Sequence, residues 1–285
     1  MSSDLSDIYG LEKEFPMLSA DFEMIQNMAH QHSGIVLPDR KRQMVYSRLS
    51  RRIRQLGIAS FSEYLALVNQ SDEEFASFIN ALTTNLTSFF REKHHFDFLK
   101  NTITPMWLAR KQRRLRVWSA ACSTGEEAYS IAMTLAKPFA SPEWDFKILA
   151  TDLDTNVLNT AKQGQYSRDA MANIPPDLAD SYIKSHTSKQ HIFISERIKR
   201  LIHFKQLNLL EHWPMKGPFD VIFCRNVFIY FDHETKVNII KRFRRLLADD
   251  GVLIIGHSEN LMQVSDEFTF SGQTIYRPKL RQNKP

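Results

Sequence analysis

The chain has 285 residues, 43% of them hydrophobic and 24% charged, and a net charge of +5 that points to an acidic partner: nucleic acid, a membrane surface or an acidic protein. No stretch is long and apolar enough to cross a bilayer, and the start, with Asp4, Asp7, Glu12, Lys13 and Glu14, lacks the apolar run of a secretory signal. The two cysteines, Cys122 and Cys224, fall in or beside apolar runs, which predicts reduced structural thiols in a cytoplasmic protein rather than a disulfide framework.

Up to about residue 110 the chain reads as helical. Residues 20–31 and 60–68 carry apolar positions at helical spacing, and Val45, Leu49, Ile53 and Leu56 form one stripe. Phe75, Phe78, Ile79 and Leu82 form another, with Ser71 and Asp72 as caps before it. Around the first stripe lie Arg40, Lys41, Arg42, Arg48, Arg51, Arg52 and Arg54, almost without interspersed acids. Such a face is either simply solvated or a docking surface for an acidic partner.

After Arg114 the texture changes. Short apolar runs at Leu115–Ala121, Phe146–Thr151, Leu201–Phe204, Phe219–Cys224 and Val252–Gly256 read as strands, several separated by helical patterns such as Glu234–Leu247 with the stop signal Asp249-Asp250-Gly251. That alternation predicts a parallel, doubly wound α/β sheet. Phe268–Phe270 and Gln273–Arg277, around Ser271-Gly272, predict a closing hairpin that adds an antiparallel strand at the edge. Between Gln165 and Ile198 the pattern breaks at Pro175-Pro176, and the β-prone run Gln190–Ser195 suggests a small inserted β-subdomain.

Three segments carry candidate chemistry. Val117 to Ser130 reads as strand, small-residue turn and helix start, and Asp152 ends the next strand. This is the layout of a nucleotide site whose acid takes ribose hydroxyls. Only Gly125 stands where a dinucleotide fingerprint needs three glycines, and Glu126 and Glu127 oppose a pyrophosphate at the helix N-terminus. S-Adenosylmethionine, an adenosine ligand without phosphates and with a cationic sulfonium, fits. The second segment, Thr83 to Glu92, sets small polar side chains before Phe89-Phe90 and Arg91, which suits a helix cap at Thr87 or Ser88 or a ligand pocket. The third follows the strand Phe219–Cys224, where Arg225, Asn226 and Tyr230 interrupt an apolar stretch and Asp232 suits an N-cap. Asn208 either faces the same crevice or ends its strand.

Other candidates fall away. His94-His95 are adjacent and do not share a helix face as metal ligands would, and His233-Glu234 lacks the second histidine of a zincin. Neither Ile174-Pro175-Pro176 nor Cys224 has the context of a nucleobase-methylating motif, and no metal is expected.

Taken together, these segments resemble the CheR family of chemotaxis receptor methyltransferases. The resemblance rests on Asn80 to Thr87 with Phe89 to Glu92, on Ser123 to Glu127, on Asp152-Leu153-Asp154, on Cys224 to Val227 with Ile229 to Phe231, and on Gly256 to Glu259. It implies an all-α N-terminal domain (1–90), a linker helix (91–112) and a Rossmann-like S-adenosylmethionine-dependent methyltransferase domain (113–285) with a small antiparallel β-subdomain inserted at about 165–200. The implied reaction esterifies glutamate side chains on the cytoplasmic helical domain of chemoreceptors, by a monomer that binds neither nucleic acid nor the membrane interior. By motif position, Asn85, Thr87, Arg91, Glu127, Asp152, Asn208, Leu209, Arg225 and Asn226 surround the cofactor, and Arg91 and Tyr230 border the acceptor as catalytic residues. The basic helix, through Arg48, Arg51 and Arg52, becomes the receptor-docking face. Ala128 departs from the family's usual proline, and Lys184–Ile194 lacks glycine, which bears on whether the subdomain docks a receptor C-terminal peptide. A nucleic-acid methyltransferase and a non-catalytic S-adenosylmethionine-sensing adaptor are the competing readings.

Overall fold

The computed structural model describes residues 14–184 and 189–279. Asp4, Asp7, Glu12 and Lys13, the tail from Arg281, and residues 185–188 of the glycine-free stretch lie outside the described residues. The chain divides into two compact units. One holds the described residues up to His32 with Val36–Thr83; the other holds Ser33–Ile35 and everything from Thr84.

The first unit is helical, with α1 (Ser19–Ser33), α2 (Arg42–Leu56), α3 (Phe61–Gln70) and α4 (Asp72–Leu82). Ser60 and Ser71 cap α3 and α4 by accepting from the backbone N–H groups of Glu63 and Glu74, three residues on. Val45, Leu49 and Ile53 are fully buried, as their spacing predicts, but Leu56 at the end of that stripe is 37% exposed. The helix stops there at the left-handed Gly57, so its last turn lies beyond the core.

Among the described residues the second unit carries ten strands: β1 (Arg114–Ala120), β2 (Asp145–Asp152), β3 (Gln165–Ser167), β4 (Ile183–Lys184), β5 (His191–Ile194), β6 (Ile202–Gln206), β7 (Phe219–Cys224), β8 (Leu247–Ile255), β9 (Phe268–Phe270) and β10 (Ile275–Pro278). Its helices are α5 (His94–Phe98), α6 (Thr104–Leu108), α7 (Glu126–Ala136), α8 (Thr155–Gln163), α9 (Pro176–Tyr182), α10 (Glu196–Lys199) and α11 (His233–Leu246). The main sheet runs β6-β2-β1-β7-β8-β10-β9, and β3-β5-β4 form a small antiparallel sheet. From β6 to β8 all pairings are parallel, while β10 joins β8 and β9 antiparallel.

Alternation along the strands builds both cores. Leu115, Val117, Val221, Phe223, Val252 and Ile254 belong to one cluster, which takes in Phe96, Leu99, Ile103 and Trp107. Trp118, Ala120, Ile222, Leu253 and Ile255 belong to the other, with Ile239, Ile240 and Phe243 of α11. Helices cover both faces, and the carboxyl halves of β1 and β2 and the whole of β7 are accordingly almost entirely buried.

Two local expectations are corrected. Asp249-Asp250-Gly251 does not stop a helix; α11 ends at Leu246, and the triplet lies within β8, where the register against β7 shifts between Phe219 and Val221. A bulge absorbs the extra residues, with Asp249 on Arg244 and Asp250 on Arg110. The last strand begins at Ile275 rather than Gln273, because Gln273 and Thr274 have φ of 51° and 58° and turn the hairpin.

Candidate active site

Chain order runs outward from β1 in both directions, to β2 and β6 on one side and to β7 and β8 on the other. In such a sheet the crevice opens beyond the carboxyl ends of the strands at that switch point. Residues after β1, at the end of β2, and after β6 and β7 meet there.

The turn after β1 is tight. Ala121 and Ser123 have φ of 61° and 51°, and Gly125, at 97°, starts α7. A Cβ on Gly125 would stand 2.8 Å from that of Ala161, so only glycine lets α7 approach α8 this closely. Asp152 accepts from the Ser123 N–H (2.8 Å) and the Asp154 N–H (3.0 Å), one on each oxygen. Each oxygen keeps a lone pair, as a ribose diol requires. Burial outweighs these two donors and pushes the Asp152 carboxyl up to about 6.

Glu127 sits one turn on, buried, accepting from Ser119 Oγ (2.7 Å) and from Arg225 Nη1 (3.0 Å). Arg225 is the hub of the site. Its guanidinium, 2% exposed, also donates to the Arg91 carbonyl (2.5 Å) and lies 3.3 Å from Glu92. Two carboxylates thus share one cation. Burial pushes Glu127 up despite Arg225; at Glu92 burial acts the same way, but the Arg225 charge and the His257 hydrogen bond hold its carboxyl below the usual range.

The segment from Asn85 to Glu92 is not a capped helix start. The next helix begins at His94, with Lys93 at its N-cap making no side-chain capping bond, and Thr87 and Ser88 precede a turn with Phe90 and Glu92 at φ of 52° and 56°. That turn is pinned instead. The Asn85 side chain donates to Asp154 (2.8 Å), the Asn85 carbonyl accepts from Ser123 Oγ (2.9 Å), and the Phe90 N–H donates to Ser130 Oγ (2.9 Å). Thr87 is half-buried within it. The Arg91 guanidinium, also half-buried, folds back onto the Leu86 carbonyl (2.9 Å).

Asn226, with φ of 59°, is held by Glu259, which sequence reasoning left without a role. Glu259 is buried and accepts from the N–H groups of Asn226 (3.0 Å), Val227 (2.8 Å) and Gly256 (2.7 Å). Gly256 is needed, since a Cβ there would lie 2.5 Å from the Asn226 amide. Tyr230 follows in a short 3-10 turn, half-buried on the rim of the second core. Asn208 folds into its own turn, accepting from Leu210 N–H (3.0 Å), and Leu209 is buried in that core; the Leu207 N–H on the Asp152 carbonyl (2.9 Å) sets both beside β2. Five non-glycine residues in the left-handed region, Phe90, Glu92, Ala121, Ser123 and Asn226, gather in these three segments. Such strain persists where surrounding bonds over-determine it, as they do here.

His94 and His95 do approach each other. With Glu92 their ligand atoms lie within 4.8 Å of one another, because the left-handed turn at Glu92 folds it back over the first turn of α5. His95 Nε2 lies 2.9 Å from the Gln273 carbonyl, and burial with the Arg225 charge pushes its pKa down to about 3.

The basic helix is less free than its sequence implies. Arg48 donates to the Leu82 (3.0 Å) and Thr83 (2.6 Å) carbonyls at the end of α4, and Arg52 makes a paired bond to buried Glu74 (2.9 and 2.5 Å). Arg54 pairs with Glu14, and Arg42 donates to the Met17 carbonyl. Arg51 is exposed. The acids missing from the helix itself come from elsewhere in the same unit.

A switch-point crevice with an acid at the end of β2, and carboxylates where a phosphate would sit, defines a Rossmann-like S-adenosylmethionine-dependent methyltransferase. The donor set fits that cofactor: acceptors for a diol, and a buried carboxylate–guanidinium pair for its charged amino-acid end. A family model described as CheR methyltransferase, SAM binding domain, matches residues 85–277, and one described as CheR methyltransferase, all-alpha domain, matches residues 20–83. The chain is 44% identical over 271 residues to the chemotaxis protein methyltransferase of Escherichia coli K12, covering 93% of each. It is 42% identical over 280 residues to that of Salmonella typhimurium LT2, covering 96% of each, and 42% identical over 284 residues to chemotaxis protein methyltransferase 2 of Pseudomonas aeruginosa, covering 97% of this chain and 99% of that one. The chain belongs to the CheR methyltransferase family.

The Asp152 environment gives a first expected result. On the expectation that Asp152 takes the ribose hydroxyls, its ionised form is the better acceptor, and affinity for S-adenosylhomocysteine is expected to weaken as pH falls through about 6. Calorimetric titration on either side of that pH checks this, and Asp152→Asn is expected to bind weakly with a flat profile. Stability moves the other way. With its folded pKa raised, Asp152 contributes most below its unfolded value of 3.8 and loses that contribution as pH rises to about 6.

Proposed function

We propose that this protein transfers the methyl group of S-adenosylmethionine to glutamate side chains of chemoreceptors, forming glutamyl methyl esters, and does so in the cytoplasm as a monomer. The observation that carries the proposal is the double role of Arg225. One arm of its guanidinium holds Glu127 in the cofactor crevice and the other holds the Arg91 backbone. The cofactor site and the residue that meets the acceptor are thereby fixed to one buried group.

S-Adenosylmethionine supplies an electrophilic methyl group. A glutamate carboxylate is already ionised at pH 7, so the acceptor needs no general base. What this chain's residues must provide is alignment and exclusion of water, with reacting atoms about 3–3.5 Å apart. In this reading Asp152 takes the ribose hydroxyls, Glu127 and Arg225 meet the amino-acid end, and Asn85, Thr87, Asn208, Leu209 and Asn226 complete the pocket. Arg91 leaves the Leu86 carbonyl to grip the acceptor carboxylate through paired hydrogen bonds, and Tyr230 donates one more.

The test mixes the full-length protein with labelled S-adenosylmethionine and receptor-containing membranes. Base-labile label on receptor glutamates is expected; label confined to RNA or DNA overturns the proposal. The docking face is tested separately. Arg51→Glu is expected to leave the melting temperature unchanged and to slow receptor methylation, because Arg51 is exposed. Arg52→Glu instead sets a carboxylate against buried Glu74 and is expected to lower the melting temperature of the helical unit. Wild-type receptor methylation by Arg51→Glu removes Arg51 from docking.

A further inference from the structure

A groove of about 480 Å³ opens beside the acceptor end of the crevice, lined among others by Phe228, Ile229, His233, Lys236, Met262 and Val264. Of its lining, Glu259 also serves the crevice, by holding Asn226. The groove begins at the 3-10 turn Phe228–Tyr230, so Ile229 on its wall is the chain neighbour of Tyr230. Two large apolar side chains stand open to solvent there, Ile229 at 52% and Met262 at 78% exposed. Exposed apolar side chains that line one groove together, rather than standing singly, are a mark of a binding surface.

The charge of the groove is one-sided. His233 and Lys236 are three residues apart on α11 and so share a face of that helix. The acid in the lining, Glu259, is buried and directs its carboxylate at the backbone N–H groups of Asn226, Val227 and Gly256, so it does not balance them. An occupant must therefore bring apolar side chains for Ile229 and Met262 and a carboxylate for Lys236, beside which His233 offers a hydrogen-bonding ring. An amphipathic helix with acids three or four residues from apolar positions has that pattern.

We propose that this groove holds the receptor segment flanking the acceptor glutamate, and that it is a docking subsite of the methyltransferase unit itself. The inference rests on the proposed function and adds a substrate-binding surface to it. Seating the flank beside Tyr230 delivers the acceptor side chain to the crevice without a contact from the cofactor pocket. The groove therefore contributes to receptor affinity and not to cofactor affinity.

The experiment uses the full-length protein with Lys236→Glu, at a half-buried position, and with Lys236→Glu/Met262→Glu, the second change at an exposed one, and melting temperatures confirm that both variants fold. Receptor methylation is measured against receptor concentration at saturating S-adenosylmethionine, and S-adenosylhomocysteine affinity by titration. For the double variant the receptor KM is expected to rise about tenfold, with kcat and S-adenosylhomocysteine affinity within about twofold of wild type. An unchanged receptor KM overturns the inference. So does an equal loss of cofactor affinity, or a changed oligomeric state with receptor kinetics intact, which would assign the groove to a second copy of the chain. Should the wild-type protein itself leave no base-labile methyl group on receptors, the proposed function falls too, and that control separates the two failures.

Discussion

Replacing Arg225 by methionine is expected to cost about 3–5 kcal/mol of folding stability and to abolish measurable binding of S-adenosylhomocysteine. The side chain is 2% exposed, and each of its two carboxylate partners, Glu127 and Glu92, is 10% exposed. Removing the guanidinium leaves two buried anions without their shared cation. It also frees the Arg91 carbonyl, so the Asn85–Glu92 turn loses its tie to β7. Two measurements check this: the urea midpoint and the binding isotherm. The variant has a pH signature as well. Without Arg225, Glu127, already raised by burial, rises further, and Glu92 loses the charge that held it down against burial, so more of the stability present in acid is lost as pH rises through the folded values. Adding Glu127→Gln should recover part of the loss, since an amide still accepts from Ser119 without burying a charge. A variant as stable as the wild type would mean that the buried pair carries little of the fold.

Arg91→Ala is expected to lower kcat about 100-fold at saturating S-adenosylmethionine, because misplacement of a reacting group by an ångström has an effect of that size. Its backbone carbonyl is retained, so Arg225 keeps its partner and the turn stays in place. What is lost is the half-buried side chain beyond Cβ, with its hydrogen bond to the carbonyl of the exposed Leu86. Arg91→Lys keeps the charge without the planar fork and is expected to recover only part of the rate. Saturating the enzyme with cofactor separates this from a binding defect. Near-normal turnover in Arg91→Ala would remove Arg91 from the mechanism.

Much of this architecture was legible because the central strands are buried on both faces. Phe219–Cys224 is apolar at nearly every position and falls where expected to the residue. Strand ends were legible for the same reason: the first polar residue after each run, Asp152 or Arg225, marks the crevice edge. What escaped depends on contacts distant in sequence or on left-handed backbone. Glu92 looks like a first-turn helix acid until His257, 165 residues away, is found on its carboxylate. Glu259 is one acid in a polar loop, and its role appears only when Asn226 and Gly256 meet over it. The bulge in β8 was hidden because Asp-Asp-Gly is a turn signal wherever it stands, and only pairing with β7 makes it part of a strand. Arg48 and Arg52 read as surface charge because the α4 carbonyls and Glu74 that engage them lie more than twenty residues on.

The most direct test of the central claim is peptide mass mapping of a receptor cytoplasmic domain after incubation with the protein and S-adenosylmethionine. A gain of one methyl group on specific glutamates, absent with Arg91→Ala and removed by mild base, is the result predicted here. Methylation of lysine or asparagine side chains instead, or of glutamate to the same extent with Arg91→Ala, would contradict it.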